Sequence, residues 1–304
     1  VQIHGRSMTH DVCSAYDALC RVGKMGDAGP IRRRMDGCMR KRALFPGAVA
    51  AAKALGAGLE EVLWPTRCVG CDAMGELLCG QCRSRLWEID QAFACPRCGA
   101  PFGSLVCTEC ACRMHDEDDE DAGGAAPDQE SLADVIAPLD GVRSYAMLEW
   151  PHDRMVRAYK DAGERRLAVL IAQGMARAAR AAWHQELALL DCVAFVPCTP
   201  QAYARRGFDH MEAVARELAG LLGVPLDDVL ARRSLKDQRD LGRLGRAANV
   251  RGTFAVLHRL DGQNILLVDD VFTTGATMGE AARALKVCGA ARVFGLTFAR
   301  AWAG

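Results

Sequence analysis

Two regimes of hydrophobic patterning divide the chain. From about residue 134 onward, short apolar runs alternate with stretches of helical spacing; before that the pattern is less regular. Val193 to Val196, Ile265 to Val268 and Val293 to Phe298 are continuous apolar runs bounded by turn residues, the pattern of strands buried on both faces of a sheet. Val142 to Leu148 supplies an entry strand. Met155 to Ala182 follows helical spacing with a break near Gly163, and a further helix is expected from about Met211 to Leu222, after a turn at Tyr203 to Phe208. Met278, Ala281, Ala282, Leu285 and Cys288 recur at helical intervals, and Gly289 is placed to end that helix in a left-handed cap. Strands alternating with helices predict a parallel α/β sheet.

Ahead of this domain, residues 1–46 show no sustained periodicity and carry the basic clusters Arg32 to Arg34 and Arg40 to Arg42. A disordered, solvated tail is expected there, and Val1 in place of Met suggests an alternative initiation codon or a start at Met35 or Met39. Residues 47–114 combine a helix at Ala48 to Leu63 with a cysteine-rich module, and residues 115–133 read as an acidic flexible linker around the unbroken run Asp116 to Asp121. Residues 134–304 are then a second domain, hinged on that linker.

Composition adds limits to this picture. A chain of 304 residues allows about two domains, and 50% apolar content is ample for a core. Net charge is zero overall, yet from Gly141 to the C-terminus 23 Lys/Arg stand against 17 Asp/Glu, so the second domain is the more basic part. No uninterrupted apolar segment approaches the roughly 18 to 20 residues needed to cross a bilayer, and the N-terminus lacks the order of a signal peptide. A cytoplasmic protein without membrane insertion is expected.

Of 15 cysteines, eight form four Cys-x-x-Cys pairs: Cys68/Cys71, Cys79/Cys82, Cys95/Cys98 and Cys107/Cys110, with Cys112 spare. Two thiolates three positions apart on a tight turn can face one tetrahedral ion, and two such pairs complete a closed structural zinc site. Two structural Zn²⁺ ions are therefore expected. Neighbouring and interleaved pairings are both sterically open. The Cys-Pro-x-Cys-Gly form at Cys95 to Gly99 is typical of zinc ribbons, and a module this short would draw much of its folding energy from metal.

The most informative segment is Val268 to Thr277, Val-Asp-Asp-Val-Phe-Thr-Thr-Gly-Ala-Thr, lying between the run Ile265 to Leu267 and a helix-patterned stretch. Asp269 and Asp270 at the end of a buried strand would be costly without polar partners. Thr273, Thr274, Gly275, Ala276 and Thr277 offer hydroxyls and backbone N–H groups at the positive end of the following helix. That combination is a cradle for one phosphate, with the acids placed to take ribose hydroxyls.

The string resembles the phosphoribosyl diphosphate (PRPP) motif of type I phosphoribosyltransferases. The resemblance widens: a zinc-ribbon segment, a linker, Tyr159 to Arg166, Arg206-Gly-Phe-Asp-His210, an arm at Gln238 to Asn249 and the PRPP motif follow the order seen in the ComF family. That family comprises competence proteins linked to DNA uptake in natural transformation, and the match runs from about Leu63 to Arg300. One departure is Asp209-His210, where the family usually has Asn-Gln; recognition is altered if that pair contacts ligand.

The resemblance implies a parallel-sheet type I phosphoribosyltransferase fold preceded by a small zinc-ribbon domain. It implies PRPP bound along Val268 to Thr277, with the 5′-phosphate on Thr273 to Thr277 and the ribose hydroxyls on the catalytic pair Asp269 and Asp270. Mg²⁺ would bridge hydroxyls and diphosphate. The loop after Pro197 would contact the diphosphate, helped by Arg205, Arg206 and Lys160. The implied role is an accessory factor of DNA uptake that retains a PRPP site, touches single-stranded DNA weakly and non-specifically, and works with a DNA-uptake helicase or recombination-loading protein. The alternative is an active phosphoribosyltransferase acting on a nucleobase or amine acceptor in nucleotide metabolism.

Arg232 to Arg251 carries seven Lys/Arg against two Asp/Glu, which suits an arm closing over the site, a solvated helix face or a contact along a DNA backbone. The seven histidines form no metal spacing, and only His210 stands near a motif. Cys192, Cys198 and Cys288 read as small buried residues, although Cys198 sits in the expected diphosphate loop. Aromatic residues are few and not interleaved with basic ones, so sequence-specific DNA readout is not expected.

Overall fold

The computed structural model describes residues 65–101, 105–111, 131–232 and 252–301. Contacts divide the chain into two units, Val1–Gly58 and Leu59–Gly304, and every described residue belongs to the second. The expected tail, the helix at Ala48 to Leu63, Cys112, most of the acidic linker and the basic arm beyond Arg232 lie outside the described residues.

Six strands are described: β1 (Gly141–Met147), β2 (Cys192–Phe195), β3 (Leu230–Arg232), β4 (Phe254–Val256), β5 (Asn264–Phe272) and β6 (Arg292–Arg300). Four form a wholly parallel sheet in the order β1-β6-β5-β2, and β3 pairs antiparallel with β4. The helices are α1 (Gly80–Arg83), α2 (Thr108–Ala111), α3 (Leu132–Val135), α4 (His152–Lys160), α5 (Leu167–Ala182), α6 (Pro200–Arg206), α7 (His210–Leu222) and α8 (Ala276–Val287). The parallel α/β expectation therefore holds.

Strand alternation explains the two cores. Leu266 and Val268 of β5 pack among residues of α4, α5 and α7, whereas Ile265 and Leu267 pack with α8 and the β3–β4 pair. With both faces covered, the central strands read as continuous apolar runs.

Two elements differ from expectation. Tyr203 lies in a helix rather than a turn: Thr199 accepts from the Ala202 N–H (3.2 Å), Pro200 opens α6, and Gly207 ends it at φ 74°. Strand β5 continues past Val268 to Phe272, because β6 runs beside it and pairs Thr297, Ala299 and Arg300 with Asp269, Val271 and Phe272. The two acids are thus inside the strand, and their side chains leave on opposite faces.

Edge strand β1 is covered by the cysteine-rich module. The Ile89 N–H donates to the Tyr145 carbonyl (2.8 Å), and the Val142 N–H donates to the Arg97 carbonyl (2.9 Å). Gly99 approaches so closely that a Cβ there would lie 2.8 Å from the Val142 oxygen. Where the sequence suggests a hinge, module and sheet are in direct contact. Among the described residues no helix is long and apolar enough to cross a membrane.

Candidate functional site

Two cysteine tetrads form from neighbouring pairs: Cys68, Cys71, Cys79 and Cys82, then Cys95, Cys98, Cys107 and Cys110, each with its four sulfurs within 4.8 Å of one another. The interleaved alternative is excluded. Sulfur pairs Cys71–Cys79 and Cys98–Cys107 lie 3.6 and 3.5 Å apart, close to the roughly 3.8 Å edge of a tetrahedron of thiolates about 2.3 Å from zinc. Backbone N–H groups face the sulfurs, Cys79 donating to Cys68 (3.3 Å) and Cys107 to Cys95 (3.4 Å). Burial raises the Cys68 thiol, but the backbone N–H groups of Cys79, Cys71 and Gly70 outweigh it and bring it down to about 6. Cys82 is pushed up by burial and then by its sulfur neighbours. A cation relieves that crowding of sulfurs, so both donor sets fit zinc.

A separate cleft of about 380 Å³ opens at the C-terminal end of the sheet. Its floor is Asp269, Asp270 and Val271 of β5, and Pro197, Cys198 and Thr199 follow from β2. Lys160 of α4, Arg206 of α6, His210 of α7 and Arg232 of β3 bring in cationic and polar groups, while Thr273 comes from the loop into α8 and Thr277 from the first turn of that helix. That loop turns on Gly275 (φ 75°), whose missing Cβ would stand 2.9 Å from both Ile136 and Phe272. The N-cap Gly275 has no side chain to satisfy the first turn of α8, and Thr274 Oγ1 accepts only a long bond from the Ala276 N–H (3.4 Å), which leaves a start suited to an anion.

Asp270 is the hub. Its Oδ2 accepts from Lys160 Nζ (2.5 Å) and lies 3.1 Å from His210 Nε2. Arg206 is a permanent donor and sits 3.3 Å from His210 Nδ1, so Nδ1 accepts and Nε2 carries the proton given to Asp270. Arg206 also lies 3.5 Å from Asp161, giving a chain Asp161–Arg206–His210–Asp270–Lys160. Burial raises the Asp270 carboxyl, but the His210 hydrogen bond and the Lys160 charge outweigh it and hold the group well below the usual carboxylate range. Asp269 moves the other way, pushed up by burial and then by the Asp270 charge. The Nε atoms of Arg206 and Arg232 are buried without a hydrogen-bond partner among the described residues.

Residues 59–114 match the family model of the double zinc ribbon domain, and residues 202–301 match that of the phosphoribosyl transferase domain. The DNA utilization protein YhgH of Salmonella typhi is 29% identical over 205 residues, which cover 66% of this chain and 80% of that protein. The chain is ComF-like. The YhgH protein of Escherichia coli strain K12 is 32% identical over 109 residues, 35% of this ComF-like chain and about half (48%) of that relative. A solved purine phosphoribosyltransferase from Pyrococcus horikoshii Ot3 matches 44% of this chain and 82% of its own, at 15% identity and a TM-score of 0.28.

In this ComF-like chain the cleft gathers Asp269, Asp270, Thr273, Thr277, Pro197 and Arg206 with Lys160 and His210. Thr274, Gly275 and Ala276 build the loop rather than the cleft wall, and Arg205 is exposed, 3.8 Å from Asp161. Val268 does not reach the cleft: its side chain is fully buried in the core under α5 and α7. Asp209, singled out in the sequence only as a departure from the family's Asn-Gln, has a role that the sequence did not reveal: its Oδ1 caps α7 at Met211 (2.9 Å) while Oδ2 accepts from the Cys198 N–H (2.7 Å), fixing the loop after Pro197. Sequence reasoning missed Arg143 and Arg300, which hydrogen-bond carbonyls of the second tetrad; a charge inside an otherwise apolar strand was the available signal.

Proposed function

We propose that the cleft binds PRPP or a related ribose 5-phosphate, with Thr273 to Thr277 taking the 5′-phosphate and Asp269 and Asp270 the ribose hydroxyls. The carrying observation is the geometry of Asp270, held between Lys160 and His210 a few residues before a helix start whose N-cap, Gly275, offers no side chain. Asp269 and Asp270 would also lie beside a Mg²⁺ ion, which would offset the charge of the diphosphate. The unpartnered Nε atoms of Arg206 and Arg232 suit the diphosphate oxygens. The relatives' name, DNA utilization protein, supports a ComF-type accessory role in DNA uptake on the cytoplasmic side. Weak, non-specific contact with single-stranded DNA through Arg232, Arg233, Lys236, Arg239, Arg243 and Arg246 follows from the local basic excess, and a helicase or recombination-loading protein would receive the strand.

A second reading, turnover onto an acceptor, draws on an adjoining chamber of about 530 Å³ that shares Pro197, Cys198 and Arg232 with the cleft. Tyr203, Leu230 and Leu257 give it an apolar lining, and Glu212 and Asp228 would suit an amine.

Calorimetric titration with PRPP, with and without Mg²⁺, tests the main reading. The double variant Asp269→Ala/Asp270→Ala should bind at least about tenfold more weakly, the size of one lost charge-assisted contact; equal affinity would sink it. In the same preparation, anisotropy of a labelled oligonucleotide should show affinity falling steeply with salt, and Arg239→Glu/Arg243→Glu/Arg246→Glu should flatten that slope. Pyrophosphate release from PRPP in the presence of a nucleobase or amine would favour the transferase reading.

A further inference from the structure

The phosphate loop and the second cysteine tetrad meet at one strand end. Arg300, the last residue of β6, is only 4% exposed. Its Nη1 donates to the Cys98 carbonyl (2.8 Å) and its Nη2 to Glu109 Oε2 on α2 (2.8 Å). Its guanidinium lies over the Phe272 ring, 4.8 Å from the centroid, and Phe272 is its partner in the β5–β6 register. The far edge of the same ring lies 2.9 Å from where a Cβ on Gly275 would sit. Ile136, which follows α3, closes on Gly275 from its own side at the same distance, and α3 packs against α2. The loop is therefore held by two groups that both rest on the second ribbon.

We propose that Arg300 is a positioning residue through which the metal state of the second tetrad, Cys95, Cys98, Cys107 and Cys110, sets the affinity of the loop Thr273 to Thr277 for phosphate. The proposal rests on the phosphate-site reading above. Its physical basis is that, among the described residues, the Arg300 side chain has two hydrogen-bond partners, and both belong to the ribbon. If the tetrad opens, the Cys98 carbonyl and Glu109 shift, and a buried guanidinium is left without partners. Its escape removes the cation from the face of Phe272 and with it the support under Gly275. The first tetrad is tied elsewhere: the Gly70 carbonyl of its turn accepts from Trp150 Nε1 (3.1 Å) and from Arg154 of α4 (3.0 Å), and neither residue is among the close neighbours of Gly275 or the ring partners of Phe272. Coupling of this kind is reciprocal, so phosphate binding tightens zinc in one tetrad by the same factor that zinc tightens phosphate.

The test uses full-length protein and ribose 5-phosphate as probe, with zinc content measured for each sample. Cys107→Ser, which should lose one ion, should weaken calorimetric binding on the order of tenfold, the usual range of such coupling. Cys71→Ser, which should lose the other ion, should bind as wild type does. Glu109→Gln keeps every sulfur ligand and guards against misfolding as the explanation; it should retain two ions and still weaken binding by roughly two- to fivefold. In unmodified protein, saturating ribose 5-phosphate should raise the affinity of one of the two zinc ions in a chelator competition. Wild-type affinity in both Cys107→Ser and Glu109→Gln, or equal loss in Cys71→Ser, would overturn the coupling alone. Failure of zinc-replete wild type to bind the probe would overturn the phosphate-site reading, and the coupling with it.

Discussion

Asp269 and Asp270 are adjacent in the chain and opposite in circumstance, because a continuing strand sends them to different faces. Asp270 meets Lys160 and His210, and its carboxyl is held low; Asp269 is pushed up by burial and by its neighbour's charge. The stabilisation from Asp270 is present above its unfolded value near pH 4 and is lost as pH falls below that. For Asp269 the sign reverses: the folded state is favoured fully below about pH 4, and that advantage is lost as pH rises toward the raised folded value. Without ligand, Asp269→Asn should therefore stabilise the protein at pH 8 by about 1 kcal/mol, with the gain fading by pH 4, whereas Asp270→Asn should cost about 2–4 kcal/mol at pH 8. Urea unfolding of both variants at the two pH values checks this, and same-signed effects at pH 8 would refute the division of roles.

At the scale of elements, helix α8 shows packing overruling propensity. Gly279 lies within the helix, where Ala is intrinsically better by about 1 kcal/mol. A Cβ there would nevertheless stand 2.0 Å from the Val135 carbonyl oxygen, so α3 and α8 can touch only through a glycine. Gly279→Ala should destabilise by about 1–3 kcal/mol in thermal unfolding, the cost of overpacking, despite the gain in propensity. A neutral or stabilising outcome would mean that α3 is free to move away. The same contrast explains what was legible beforehand. Buried strands, the long helices and the cysteine pairs announce themselves by local period or spacing, and the loop Thr273 to Thr277 by its turn chemistry. The pairing of the tetrads, the reach of β5 to Phe272 and the tie between Asp209 and the Cys198 N–H depend on partners distant in sequence, which no local pattern encodes. The helix at Pro200 was within reach, since Thr199-Pro200 and Gly207 mark its two ends.

At the scale of the whole molecule, the ribbons do more than offer two sets of metal ligands. They occupy the open edge of β1 through the Ile89–Tyr145 and Val142–Arg97 hydrogen bonds, and they supply Cys68, Leu78 and Cys82 to one core and Cys95, Cys98 and Cys110 to the other. An uncovered parallel edge exposes a row of unpaired backbone groups and invites association with other chains. Because short ribbons without metal bury too little surface to persist, chelation should act on the sheet as well as on the ribbons. Elemental analysis should first give two zinc ions per chain. Calorimetric scans should then show one cooperative transition for metal-replete protein, lowered by roughly 5–10 °C in excess chelator, with faster aggregation on heating. If chelation instead removed a small separate transition and left the main one in place, the ribbons would be an appendage, and the sheet would keep its own edge without them.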